Sequence, residues 1–193
     1  MDETSQKIID ATMSLVRDKG YISTTTKDIA KLAGVNECTL FRKFKNKKDI
    51  VLSGVNQEKW RGNINSEIFN KVSWDLKTDL EMFMTEYMNR MTSDFVKLSI
   101  GLRCPQIYEE TAPFIKKVPE VFISSLVNYF KEMEQRGKIP SLDFQCLAMT
   151  IFSSTFGFTF LDASFNKRIL EINKEEYIRK SVEVFISGIE TIL

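Results

Sequence analysis

TTTKDIAKLAGVNECTLFRKFKNKKDIVL, residues 24–52, places three helix starts and one sharp turn in a short span. Thr25 with Asp28 three residues on has the form of a capping box, with Asp in place of the usual Glu. Ile29, Leu32 and Ala33 supply the inner face of that helix, and Gly34 stops it. Asn36 is the N-cap of the next helix, whose apolar side is Leu40, Phe41 and Phe44. A short helix, a turn of about three residues containing Gly34 and a second short helix make a helix-turn-helix. In that motif the second helix enters the DNA major groove with its N-terminal end toward the bases. Here it presents Glu37, Cys38, Thr39, Arg42 and Lys43, while Leu40 and Phe44, four apart, face the protein. A further helix restarts at Asn46, its cap, and the pattern Ile50, Val51, Val55, Trp60, Ile64 extends it.

Upstream, Ile8, Ala11, Leu15 and Val16 mark one face of a helix over residues 3–19, closed by Gly20. The net charge of +1 hides an asymmetry: residues 1–50 hold ten Lys/Arg against seven Asp/Glu, the rest seventeen against nineteen. Most of the excess is the cluster Arg42, Lys43, Lys45, Lys47 and Lys48, a phosphate footprint if it faces DNA and a solvated face if it does not.

Downstream, helical periodicity predicts helices over 75–91, from Thr92 to Arg103, from beyond Pro119 to Arg136, over 142–165 and over 174–192. Cys104-Pro105, Pro113, Pro119 and Gly137 punctuate them. No stretch alternates as a strand does. The expectation is an all-α chain of about nine helices. A three-helix DNA-binding domain over residues 1–48 precedes a larger ligand-binding and dimerisation domain over 49–193, with the fourth helix connecting the two.

Three widely spaced cysteines without metal-ligand spacing fit a reduced, cytoplasmic compartment. The start Met1-Asp2-Glu3 lacks a signal-peptide pattern. The uncharged stretch over residues 146–161 is short for a membrane span, so a buried helix and no membrane partner are expected. With no histidine, Ser-His catalysis and His-metal sites are closed, and no carboxylate spacing calls for an enzyme. No cofactor or metal is expected.

The residues Gly20-Tyr21, Thr24–Thr26, Asp28-Ile29-Ala30, Ala33-Gly34-Val35, Thr39-Leu40-Phe41, Phe44, Asn46-Lys47 and Asp49 resemble the signature of the TetR/AcrR regulators over about residues 5–52. The resemblance implies that Thr26 and Lys27 touch phosphate or a nearby base. It places Glu37 and Cys38 near base edges and lines the backbone with Thr39, Phe41, Lys43 and Lys47. Thr25, Asn36 and Arg42 complete the expected DNA-facing set. Three positions depart from the pattern: Phe41 stands where Tyr is usual, Cys38 replaces a small residue, and Glu37 brings a negative charge. The resemblance further implies double-stranded DNA with a palindromic site, repression as the commoner mode, and release by a small, mostly apolar effector. A helical binding protein without an operator stays open as the alternative.

For the effector site the sequence offers Phe83, Tyr87, Met88, Met91, Phe95, Arg103, Tyr108, Phe122, Phe152 and Phe156. Such aromatic and Met side chains either fill a core or enclose an apolar pocket. On the last helix, Ile178, Val182, Phe185, Ile189 and Ile192 are spaced 4, 3, 4, 3, a heptad seam. Ser153 and Gly157 allow close approach on the helix before it. A two-fold homodimer through Ser153, Gly157, Ile178, Val182, Phe185 and Ile189 is the expectation.

Overall fold

The computed structural model describes residues 1–60, 66–165 and 171–190, so Ile64 and Ile192 lie outside the described residues. Among these are nine α-helices and no strand: α1 Glu3–Ser23, α2 Thr26–Ala33, α3 Glu37–Lys43, α4 Lys47–Val55, α5 Leu76–Arg90, α6 Ser93–Gly101, α7 Tyr108–Gln135, α8 Phe144–Phe165 and α9 Lys174–Glu190. Short 3-10 turns lie at Glu58–Trp60 and Ser66–Lys71. The chain packs as two units, residues 1–62 with 94–116, and residues 63–93 with 117–193.

The core of the first unit is almost wholly aliphatic. Ile8, Ile9, Met13 and Val16 of α1 meet Ile29, Leu40, Ile50 and Val51, all sealed from solvent. Leu98, Leu102, Cys104 and Ile107 close the same cluster. At Gly101 an added Cβ would collide with the Val16 carbonyl, so α6 approaches α1 at backbone range. The packing unit therefore reaches beyond residue 48 and takes in α4, α6 and the start of α7.

Several local expectations are corrected. α1 is interrupted at Gly20 (φ 80°) and resumes as far as Ser23. Leu32 is exposed, and Ala30 takes its place beside Ile29 inside the core. α4 ends at Val55, short of Trp60. Pro113 and Pro119 do not delimit a helix but lie within α7. Each removes one backbone hydrogen bond. The buried stripe Ala112, Ile115, Val118, Phe122, Leu126 holds the helix together across them.

The second unit is built on aromatic rings. Phe83, Tyr87, Phe122 and Phe130 are its largest sealed side chains. Buried Asp79 organises the entry to α5: it accepts from the Ser73 and Trp74 amides at 2.7 and 2.9 Å and from the Tyr129 hydroxyl at 2.9 Å. Trp74 sits at φ 63°, and its ring carries the Arg136 guanidinium 3.6 Å above it.

α8 is longer than the uncharged run suggested and, by length and composition, is apolar enough to cross a membrane. It buries one face, Phe144, Ala148, Ile151, Phe152, Thr155, Thr159 and Ala163. Only 28% of its most apolar window is covered within the chain. α9 lies along α5. The heptad seam is closed there: Ile178, Val182 and Ile189 are 3%, 0% and 4% exposed inside their own unit. Phe185 stacks on Phe130 at 6.1 Å. Ile178, Val182 and Ile189 are thus turned to their own chain rather than outward, while Phe185 is half-buried. A seam reports that a helix packs on another; it does not say which.

Candidate nucleic-acid interface

Side-chain caps fix the angle of the helix-turn-helix. The Thr25 hydroxyl accepts from the Asp28 amide at 3.1 Å while the Asp28 carboxylate accepts from the Thr25 amide at 3.4 Å. Gly34 adopts φ 68°, ψ 33°, the left-handed turn that glycine takes without strain. The Asn36 and Asn46 side chains accept from the Thr39 and Asp49 amides at 2.7 and 2.9 Å, opening α3 and α4. Lys19 reaches Asp28 at 2.6 Å, and with the Thr25 contacts this holds the Asp28 pKa down to about 2.

With Leu40 sealed and Phe44 buried, the rest of α3 faces outward. Asn36, Glu37, Cys38, Phe41, Arg42 and Lys43 are exposed, Thr39 is half-buried, and Thr25 and Lys27 are exposed beside half-buried Thr26 on α2. Glu37 accepts from the Thr26 hydroxyl at 2.7 Å, so the negative charge is tied to α2 rather than to Arg42. Arg42 and Lys27 have no ion-pair partner among the described residues. Lys43 is paired with Asp2 at 3.0 Å, and that cation lowers the Asp2 pKa further than its cap bond to Ser5 does. Asp2 is a site residue that sequence reasoning missed; nothing local signals a partner 41 positions away.

Lys47 is the correction in this set. Its ammonium donates to the Tyr21 and Thr24 carbonyls, both at 2.6 Å, and lies over the Tyr21 ring at 4.0 Å. Burial lowers its pKa. The side chain thus braces the end of α1 as a cation at a helix C-terminus. Lys48 is paired with Glu110 of α7.

In the second unit, Phe83, Tyr87, Met88, Met91, Phe122 and Phe152 are buried and Phe156 is half-buried. Tyr87 meets Phe122 and Phe152 edge-on at 4.9 and 5.9 Å. The remaining expected pocket residues are not gathered with them. Phe95 belongs to the first unit, against Phe114 at 5.7 Å. Arg103 and Tyr108 also belong there and are exposed.

Residues 8–53 match the family described as bacterial regulatory proteins, tetR family. The chain is 30% identical over 189 residues to the HTH-type transcriptional regulator YvkB of Bacillus subtilis (strain 168), covering 98% of each. This chain belongs to the TetR family. As a TetR-family member it is a helix-turn-helix, DNA-binding transcriptional regulator with an all-helical fold. Solved structures repeat that fold over nearly the whole chain. The Bacillus subtilis regulator FadR in complex with stearoyl-CoA superposes with a TM-score of 0.68 at 22% identity, over 95% of this chain and 98% of that one. NalD, the secondary repressor of the MexAB-OprM multidrug efflux pump in Pseudomonas aeruginosa, gives 0.69 at 16% identity, over 96% of each.

Proposed function

We propose that this TetR-family regulator is a cytoplasmic repressor, acting as a homodimer on a palindromic operator and released by a small, mostly apolar effector. The observation that carries the DNA half is the outward side of α3. Leu40 and Phe44 are consumed by the core, and the cation Arg42, without an ion-pair partner among the described residues, stands with hydroxyl and amide groups and exposed Phe41 on the side left over. Thr25, Thr26, Lys27, Asn36, Glu37, Cys38, Thr39, Phe41, Arg42 and Lys43 form the reading surface. Lys47 supports it from behind.

Dimerisation is supported by what the chain leaves uncovered. Met149, Leu161 and Val184 are 51%, 44% and 74% exposed. Ser153 and Gly188 are exposed and Gly157 is half-buried on the same outward sides of α8 and α9. Small residues among exposed apolar ones suit a close helix-to-helix contact. Asp162, also in α8, suits a lipid surface poorly. The interface therefore runs through Met149, Ser153, Gly157 and Leu161 with Val184 and Gly188. A two-fold pair sets two recognition helices about 34–36 Å apart on one face of DNA.

The second unit supplies the effector site, through its aromatic and Met side chains. An effector that fits the DNA-incompetent state better shifts the population toward it, and a coupling of about 1–3 kcal/mol weakens DNA binding roughly 5–150-fold. The solved FadR neighbour holds an acyl-CoA, so long apolar effectors are a reasonable first panel. Selection of full-length protein on random duplex DNA should return a sequence with two-fold symmetry and binding that falls steeply with salt. Recovery of no preferred sequence, or a complex indifferent to salt, refutes the reading.

A further inference from the structure

Two cations stand at the end of α3, and among the described residues only one has an ion-pair partner. Arg42 has none, whereas the Lys43 ammonium is held by Asp2 at 3.0 Å. Asp2 is not a loose surface acid. It is the N-cap of α1: one carboxylate oxygen accepts from the Ser5 amide at 3.1 Å. The other, which meets Lys43, also accepts from the Ser5 hydroxyl at 2.9 Å. Ser5 is buried, and the same helix carries Ile8, Ile9 and Met13 into the core, so the carboxylate is fixed to the body of the first unit. An exposed pair of long side chains is worth little, in part because both must be ordered to form it. Here one partner is ordered already by its cap. The Lys43 cation and the Ser5 bonds hold the Asp2 carboxyl well below the usual carboxylate range, so it is charged wherever Lys43 is. The pair is also within reach of a ligand: the Lys43 and Asp2 side chains are 30% and 51% exposed.

DNA offers Lys43 the same chemistry that Asp2 does, an anionic oxygen. A cation adds to DNA affinity when it neutralises a phosphate and frees a counterion. A cation already neutralised by its own chain must first give up that partner. When it does, a bare carboxylate is left facing the phosphates. Resting on the reading of the outward side of α3 as the DNA surface, we propose that Asp2 competes with DNA phosphate for Lys43 and so holds the affinity of the regulator below what its cations would otherwise give. Asp2 is a positioning residue that acts through Lys43. Its effect falls on the backbone-contact share of binding, which is common to all sequences, and not on the choice of operator.

Asp2→Asn tests this with the cap retained, because Asn caps a helix as well as Asp does and lacks the charge. The full chain is titrated at low salt with a duplex of arbitrary sequence, whose binding rests on phosphate contacts. Asp2→Asn should bind it about fivefold more tightly than the native protein, with little change in melting temperature. The gain should shrink as salt rises. In a Lys43→Ala background the same substitution should alter affinity by less than about twofold, because the cation it frees is gone. No gain in Asp2→Asn overturns the competition. So does an equal gain with and without Lys43, which is what a like charge near DNA gives by simple repulsion. Either result leaves the DNA surface standing. A native protein that binds no duplex even at low salt overturns that surface and this role of Asp2 with it.

Discussion

The two packing units solve the burial problem in opposite ways. The first seals an aliphatic core, and its helices α2, α3 and α4 are each opened by a side-chain cap, with Leu32 and Phe41 left exposed. The second fills its centre with aromatic rings and still leaves Met149, Leu161 and Val184 uncovered. On α2 and α3 the first leaves hydrogen-bonding capacity and the cations Lys27 and Arg42 beside exposed Phe41, which suits a polyanion. What the second leaves over is apolar surface, which suits another protein surface. The partners differ because the remainders differ.

The contrast breaks most readily at the second unit's outer face. Val184→Glu or Met149→Glu places a charge on both sides of the proposed two-fold contact. Burying an unpaired charge costs several kcal/mol, and symmetry doubles it. The expected result is a dissociation constant raised about a thousandfold, read as monomers in sedimentation with helix content unchanged. Ile189→Asp should behave differently, because Ile189 is sealed in its own unit: it should lower the melting temperature sharply. If Ile189→Asp gives folded monomers and Val184→Glu stays dimeric, the contact lies elsewhere.

A middle-sized effect separates two cations of the first unit. Arg42 is uncommitted, so Arg42→Ala should weaken operator binding and reduce the slope of log affinity against log salt by about one. Lys47 is bound to the Tyr21 and Thr24 carbonyls. Lys47→Ala should leave the salt slope nearly unchanged and lower the melting temperature by several degrees, about 1 kcal/mol of lost cap and ring contact. Equal changes of slope in the two variants would return Lys47 to the DNA surface.

How much of this was legible beforehand follows the same division. The first unit announces itself because caps and turns are local chemistry: Thr25 with Asp28, Gly34 and Asn36 each act within a few residues. The long-range ties, Asp2 to Lys43 and Lys47 to the end of α1, carry no local signal, so Lys47 was assigned by position alone. In the second unit periodicity located α5, α8 and α9, yet it could not say which neighbour each stripe meets. The seam of Ile178, Val182 and Ile189 packs on α5 within the chain. Of the residues offered for the effector site, Phe95, Arg103 and Tyr108 belong to the other unit. Pro113 and Pro119 misled because proline is a weak breaker where a buried stripe spans it.

The smallest effect concerns the cap itself. Asp28 titrates near pH 2 in the folded protein because Lys19 and Thr25 hold its ionised form. Its ordinary value is 3.8. The folded state therefore binds the proton less readily than the unfolded one, and stability from this group is complete above pH 4 and lost as pH falls toward 2. The carboxylate is at the surface, so the change is modest and weakens further with salt. Asp28→Asn should lower the melting temperature of the chain slightly at pH 6 and leave it unchanged near pH 2, where native Asp28 is itself being protonated. A difference between native and Asp28→Asn protein that persists undiminished at pH 2 would mean that the cap acts through shape rather than charge, and the first unit's reliance on polar termini would have to be argued from its hydrogen bonds alone.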